Sequence, residues 1–136
     1  MKRFIIVVFL CSVCLYGHTE VSYMTTWDFT RLVYDFHKSE EWINKNDKPV
    51  VVDFYTTWCG PCKRLAPVLE EMSETYKGKV NFYKVDIEQE YELAKYFNIR
   101  SIPTLFFVPT QGDRKVFVGA PSRDVMVATL EQILKK

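Results

Sequence analysis

Apolar residues recur along this chain with two different spacings, and the alternation between them predicts its elements. Residues 19–25 read as a short edge strand. Thr26 can cap a helix, and Phe29, Leu32, Val33 and Phe36 then fall at i, i+3, i+4 and i+7, one apolar stripe. Residues 37–48 are polar around Trp42 and read as a connection. Val50-Val51-Val52-Asp53-Phe54-Tyr55 is a continuous apolar run broken by one acid, the pattern of a strand buried on both faces. A helix follows to about Tyr76, with Leu65, Val68, Leu69 and Met72 on one face, Pro67 inside it as a source of a kink, and Gly78 as its stop.

The second half repeats the alternation. Residues 80–86 predict a second buried strand, and Glu90 to Phe97 a short helix carrying Leu93, Ala94 and Phe97. Residues 104–108 and 115–118 predict a hairpin around Thr110-Gln111-Gly112-Asp113. Ser122 caps a last helix whose inner face is Met126, Val127, Leu130, Ile133 and Leu134. The order β-α-β-α-β-α-β-β-α implies an α/β fold, a mixed sheet with helices on both faces.

The first residues follow neither spacing. Lys2 and Arg3 precede an almost wholly apolar or small run, Phe4 to Tyr16. Its length suits the apolar core of a signal peptide and is short for a spanning helix. The expected organisation is therefore a signal peptide at 1–17, with cleavage near Gly17, and one domain at 18–136. A buried N-terminal strand, an uncleaved anchor, or lipid attachment at Cys11 or Cys14 are the alternatives. A signal peptide implies an extracytoplasmic, periplasmic location.

The length, 136 residues, suits one core, and the formal net charge of +1 with no basic stripe gives no pointer to nucleic acid. The cysteines are more informative. Of four, Cys11 and Cys14 fall in the apolar leader, leaving Cys59 and Cys62. Two cysteines so close in sequence cannot staple distant parts of a fold. A zinc site needs two more ligands, and the rest of the chain offers only His18 and His37, both near its start. A redox pair has a mechanism. Cys59 falls between a strand end and a helix start, where unpaired N–H groups and the helix dipole stabilise a thiolate. Cys59 is then the exposed attacking thiol, and Cys62, one turn inside, resolves the mixed disulfide. Pro61 is well tolerated in a first helical turn.

Trp58-Cys59-Gly60-Pro61-Cys62-Lys63 resembles the active-site signature of thioredoxins. The resemblance extends to Val52-Asp53-Phe54 before the motif, Ala66-Pro67 after it, Lys84 and Asp86 on the next strand, Ile99-Arg100-Ser101-Ile102-Pro103-Thr104-Leu105, and Gly119-Ala120. It covers roughly residues 20–136 and implies a thioredoxin fold. It also implies that Pro103 is cis and lies against the cysteines, and that Trp58, Ile87, Ile102, Val118 and Gly119, with Gly60 and Pro61, form a shallow groove for an extended substrate strand. The alternatives are an ordinary trans turn at Pro103 and a core position for Trp58. Asp53 would act as general base toward Cys62, with Lys84 moderating its charge; a structural Asp53–Lys84 pair is the alternative. Three features depart from cytoplasmic thioredoxins: the leader, the longer connection 37–48, and Tyr55-Thr56-Thr57 beside the motif.

The activity implied is protein thiol–disulfide exchange with no cofactor beyond the Cys59–Cys62 disulfide. Its expected partners are disulfide-containing proteins and a membrane or protein electron donor, and the chain is expected to be a monomer. Gly-Pro between the cysteines resembles the reducing members; an oxidising compartment argues for net oxidation instead. A non-catalytic binding module or holdase is the reading of a different class, though a scaffold has no need of Cys59, Cys62, Asp53 and Pro103 together.

Overall fold

A five-stranded sheet carries the fold, with one pair of helices on each face. The structure, a computed structural model, describes residues 21–136. The leader and its two cysteines lie outside the described residues. The elements run β1 Ser22–Tyr23, α1 Thr26–Leu32, β2 Val50–Tyr55, α2 Gly60–Thr75, β3 Asn81–Asp86, α3 Tyr91–Tyr96, β4 Thr104–Val108, β5 Lys115–Val118 and α4 Arg123–Ile133. The strand order is β1-β3-β2-β4-β5. β1, β3 and β2 are mutually parallel, whereas β4 runs antiparallel to both β2 and β5. β2 is central, as its apolar run, broken only by Asp53, requires.

Alternation along β2 sends its residues to two separate cores. Val51 joins Leu65, Leu69 and Met72 of α2 and Met126, Leu130 and Ile133 of α4. Val50, Val52 and Phe54 join Phe29, Val33 and Leu93 on the α1/α3 side. The α1/α3 core is strongly aromatic: Phe97 lies between Phe29, Trp42, Phe54 and Phe106, with centroids 5.1–6.4 Å away. Trp42 comes from the long connection 37–48, so that segment completes this core. Such edge and tilted contacts each contribute roughly 1 kcal/mol beyond simple burial.

Helix α1 departs from expectation at both ends. Its cap is Thr25, not Thr26. The Thr25 hydroxyl accepts the Asp28 N–H while the Asp28 carboxylate accepts the Thr25 N–H, both at 3.1 Å, a capping box that requires an acid at the third helical position. The Thr26 hydroxyl donates instead to Glu90, the residue that precedes α3. The helix also stops at Leu32, before Phe36. The N–H groups of Val33 and Tyr34 both reach the Phe29 carbonyl, and Asp35 opens a turn whose carbonyl accepts from Lys38 and Ser39. Phe36 still reaches the aromatic core from that turn, stacked on Tyr96.

Candidate active site

The cysteine pair sits where β2 hands over to α2. Cys59 is the N-cap of α2: its backbone is extended, and its Sγ accepts the Cys62 N–H at 3.2 Å. Pro61 lies in the first turn, where no N–H is needed. Cys59 and Cys62 are joined as a disulfide, with Cα atoms 5.3 Å apart. The expected difference in exposure is absent: both cysteines are 4% exposed. Bonded to Cys62, the Cys59 sulfur folds in over the first turn, and the exposed skin of the site is Trp58, Gly60 and Pro61 instead.

The surrounding residues come from three further segments. The Ile102–Pro103 bond is cis. The Pro103 carbonyl accepts the Gly119 N–H at 2.7 Å, tying the end of β5 to the proline loop. Gly119 takes φ +86°, a conformation that favours glycine. Trp58 is 67% exposed, which settles it as a surface side chain, and its indole N–H donates to Glu88 at 2.9 Å. Val118 is 71% exposed, and Ile102 is half-buried. Ile87 packs against the α1/α3 core, so only part of it faces outward. On the other flank, Pro61, Arg64, Ala120, Pro121 and Met126 line a mostly apolar cleft of about 190 Å³.

Asp53 occupies the same sheet face as α2. It is 5% exposed, and its Oδ1 is buried with no hydrogen-bond partner. Burial pushes its carboxyl up to about 7, against a weaker lowering by Lys84. Lys84 stands directly opposite Asp53 in the β2–β3 register, yet the two form no ion pair. The Lys84 ammonium lies over the Tyr23 ring, 4.3 Å from its centroid, and Tyr23 is the next residue across the sheet. Tyr23 and Glu88 were not singled out by the sequence. Both act through contacts between strands or loops distant along the chain, and no local motif marks such contacts. Thr56 also escapes pattern reading: it is buried beside the motif with an unpartnered hydroxyl.

Among the described residues no group of three or more His, Cys, Asp or Glu side chains is placed to hold a metal ion. His37 is exposed and faces Glu92 at 3.7 Å.

The arrangement defines a dithiol–disulfide exchange site on a thioredoxin-like fold, and comparison with known proteins agrees. The thioredoxin family model matches residues 32–132. A thioredoxin of Borreliella burgdorferi is 38% identical over 112 residues, covering 82% of this chain and 92% of that protein. A thioredoxin of Malassezia sympodialis is 45% identical over 83 residues, 60% of this chain and 79% of the relative. Its solved structure superposes with a TM-score of 0.68 at 34% identity, covering 85% and 92% of the two chains. Chloroplastic thioredoxin z shares the fold, with a TM-score of 0.73 at 24% identity over 86% of this chain and 96% of that one. The chain belongs to the thioredoxin family. It is a thiol–disulfide oxidoreductase working through Cys59 and Cys62.

Proposed function

We propose that the chain is a net reductase of protein disulfides outside the cytoplasm, with Cys59 as attacking thiol, Cys62 as resolving thiol and Asp53 as the base that serves Cys62. The observation that carries the assignment is the N-cap position of Cys59. Its sulfur already accepts an N–H from the first turn of α2, so a thiolate there gains a hydrogen bond and the positive end of the helix dipole.

The Cys59 thiolate attacks one sulfur of the substrate disulfide, and the other substrate sulfur leaves as a thiolate that takes a proton. Cys62, deprotonated by Asp53 directly or through water, then attacks the Cys59 sulfur. The mixed disulfide breaks, the second substrate thiolate leaves, and the Cys59–Cys62 disulfide holds the two electrons' worth of oxidation. A dithiol donor carried by a membrane or soluble protein resets the pair. The carboxyl of Asp53, held near 7, is matched to taking a proton at neutral pH. The cis-proline loop, with Trp58, Ile102, Val118 and Gly119, receives the substrate backbone, and Gly60 and Pro61 shape the lip over the disulfide. The extracytoplasmic address rests on Lys2-Arg3 and the apolar run that follows.

Insulin turbidity with dithiothreitol tests the activity, and the in-cell redox state of the pair tests its direction. A reductase accelerates precipitation and is found mostly as the dithiol in intact cells. A pair held fully oxidised there overturns the direction. Mass spectrometry of the exported protein should find a new N-terminus near His18; an intact Met1 overturns the address.

A further inference from the structure

One face of the β4–β5 hairpin continues from Val118 of the substrate groove to Arg114 and Val116, which exchange chemistry does not use. Arg114, Val116 and Val118 fall at alternate positions, and Val116 and Val118 pair with Phe106 and Thr104 across the hairpin. With Arg100 and Ser101 they line an open cleft of about 190 Å³. No carboxylate lines it.

Both arginines are held in place. Asn98, in the left-handed region at φ 52° just after α3, accepts the Arg100 Nε–H at 2.8 Å. The Arg114 guanidinium is stacked among the Trp42, Phe106 and Phe97 rings, at 4.5, 5.0 and 5.1 Å from their centroids. Its Nε is buried without a partner. Neither arginine forms an ion pair among the described residues. Ring faces offset part of the cost of desolvating a cation, but they satisfy none of the five N–H donors of a guanidinium. Two such groups around one cleft suit a carboxylate, which accepts from planar N–H pairs. The adjoining cleft on the other side of Arg114 includes Glu40, which repels an anion there. Asp113 precedes Arg114 in the chain and lines neither cleft.

The cleft opens beside the active site. Thr104 follows the cis-proline, and Val118 precedes the Gly119 whose N–H bonds Pro103. A substrate strand lying along the proline loop therefore passes its mouth. We propose that this cleft is a specificity subsite for an aspartate or glutamate side chain, carried by the disulfide-bearing protein substrate a few residues from its reacting cysteine. The proposal rests on the reductase reading and adds to it a substrate class.

The test uses the full-length exported protein, reduced, and disulfide-containing peptides that differ only in Glu, Gln or Lys, placed in turn at each of several positions flanking the cysteine. Stopped-flow rate constants for peptide reduction are the readout. At one or more positions the Glu peptide should react about fivefold faster than the Gln peptide, the scale of one partly exposed ion pair, and the Lys peptide slower still. Arg100→Gln and Arg114→Met should each reduce that preference while leaving the Gln peptide's rate unchanged. Arg100 is exposed and outside the core, so its variant keeps the test valid even where Arg114→Met disturbs folding. Lys115→Gln removes the same charge from the opposite face of β5, where the ammonium bonds Gln132, and should leave the preference intact. Equal rates for the three wild-type peptides at every position, or a preference that falls equally in Lys115→Gln, overturn the subsite alone. Failure to reduce any peptide overturns the reductase reading and the subsite with it.

Discussion

Each face of the sheet shelters a charged side chain, the buried Asp53 on one and the half-buried Arg114 on the other, and the two are treated in opposite ways. On the α2/α4 face, whose core mixes aliphatic side chains and methionines with Tyr76, Phe82 and Phe107, Asp53 is left with an unpartnered oxygen and a carboxyl raised to about 7. On the α1/α3 face the neighbours are aromatic, and Arg114 lies against three rings. Burial shifts the Arg114 pKa the other way, downward, but from so high a starting point that the group stays charged. Ring quadrupoles favour a cation and offer nothing to an anion. The α2/α4 face thus keeps a proton that can be moved at neutral pH, whereas the α1/α3 face keeps a fixed charge. The first property suits chemistry and the second suits recognition.

The largest effect should come from removing the chemistry on the first face. Cys59→Ser should lower insulin reduction by at least about 10³-fold, whereas Cys62→Ser should accumulate mixed disulfides with substrates, visible on non-reducing gels. A Cys62→Ser protein that captures nothing, or a trap that works only through Cys62, reverses the assigned order of attack.

Next is the proton on Asp53. Its folded-state pKa lies above its unfolded value, so between about pH 4 and 7 the folded protein binds the extra proton and unfolding free energy falls as pH rises. At ~1.4 kcal/mol per pKa unit, the window spans up to about 4 kcal/mol. Asp53→Ala should flatten that slope in urea titrations, holding or gaining stability above pH 7 despite its small cavity. It should also slow the resolving step about tenfold near pH 7, a defect that shrinks as rising pH ionises Cys62 unaided. A mutant as fast as wild type at pH 7 returns Asp53 to a structural role.

The aromatic face is probed by Trp42→Leu, which removes ring contacts to Phe29, Tyr34 and Phe97 and one wall of the Arg114 cage. We expect a loss of about 2 kcal/mol, read from the urea midpoint. Paired with Arg114→Met, the two losses should fall short of additivity by about 0.5–1 kcal/mol if the cation rests on the ring. Strict additivity removes the cage from the account.

The smallest effect should come from Tyr23→Leu. Without the ring that holds its ammonium, Lys84 is free to turn toward Asp53, and the Asp53 titration midpoint should fall by about half a pKa unit, on the scale of one partly screened charge pair. Tyr23→Phe keeps the ring and should keep the midpoint. Carboxyl titration by NMR distinguishes the two.

The sequence revealed most of what is local or periodic. The bounds of β2, β4 and β5 and the Ser122 cap follow from apolar runs and capping chemistry, because each is decided within a few residues. The end of α1 is not legible in the sequence, because Phe36 keeps helical spacing yet enters the core from a turn set by Asp35. The buried state of Cys59 follows from its bond to Cys62, which spacing alone does not specify. Tyr23, Glu88 and the Arg114 cage depend on which strands and loops meet, and β1 finds its place beside β3 only once the sheet order exists. Even so, Arg114, Val116 and Val118 did carry a readable signal: a cation in phase with the outward valines of a two-residue period.

Strand order also has a consequence for how the chain becomes active during synthesis. β2 leads into the cysteines, but both of its neighbours, β3 and β4, are translated after it, and the Gly119 donor that fastens the proline loop comes later still. A nascent chain that has reached the end of α2 therefore holds two thiols at the start of that helix, after a strand with no partner and with no groove beside them. Selectivity arrives last, when the ribosome has released the hairpin, so the growing polypeptide passes through a stage in which its thiols are present and its discrimination is not.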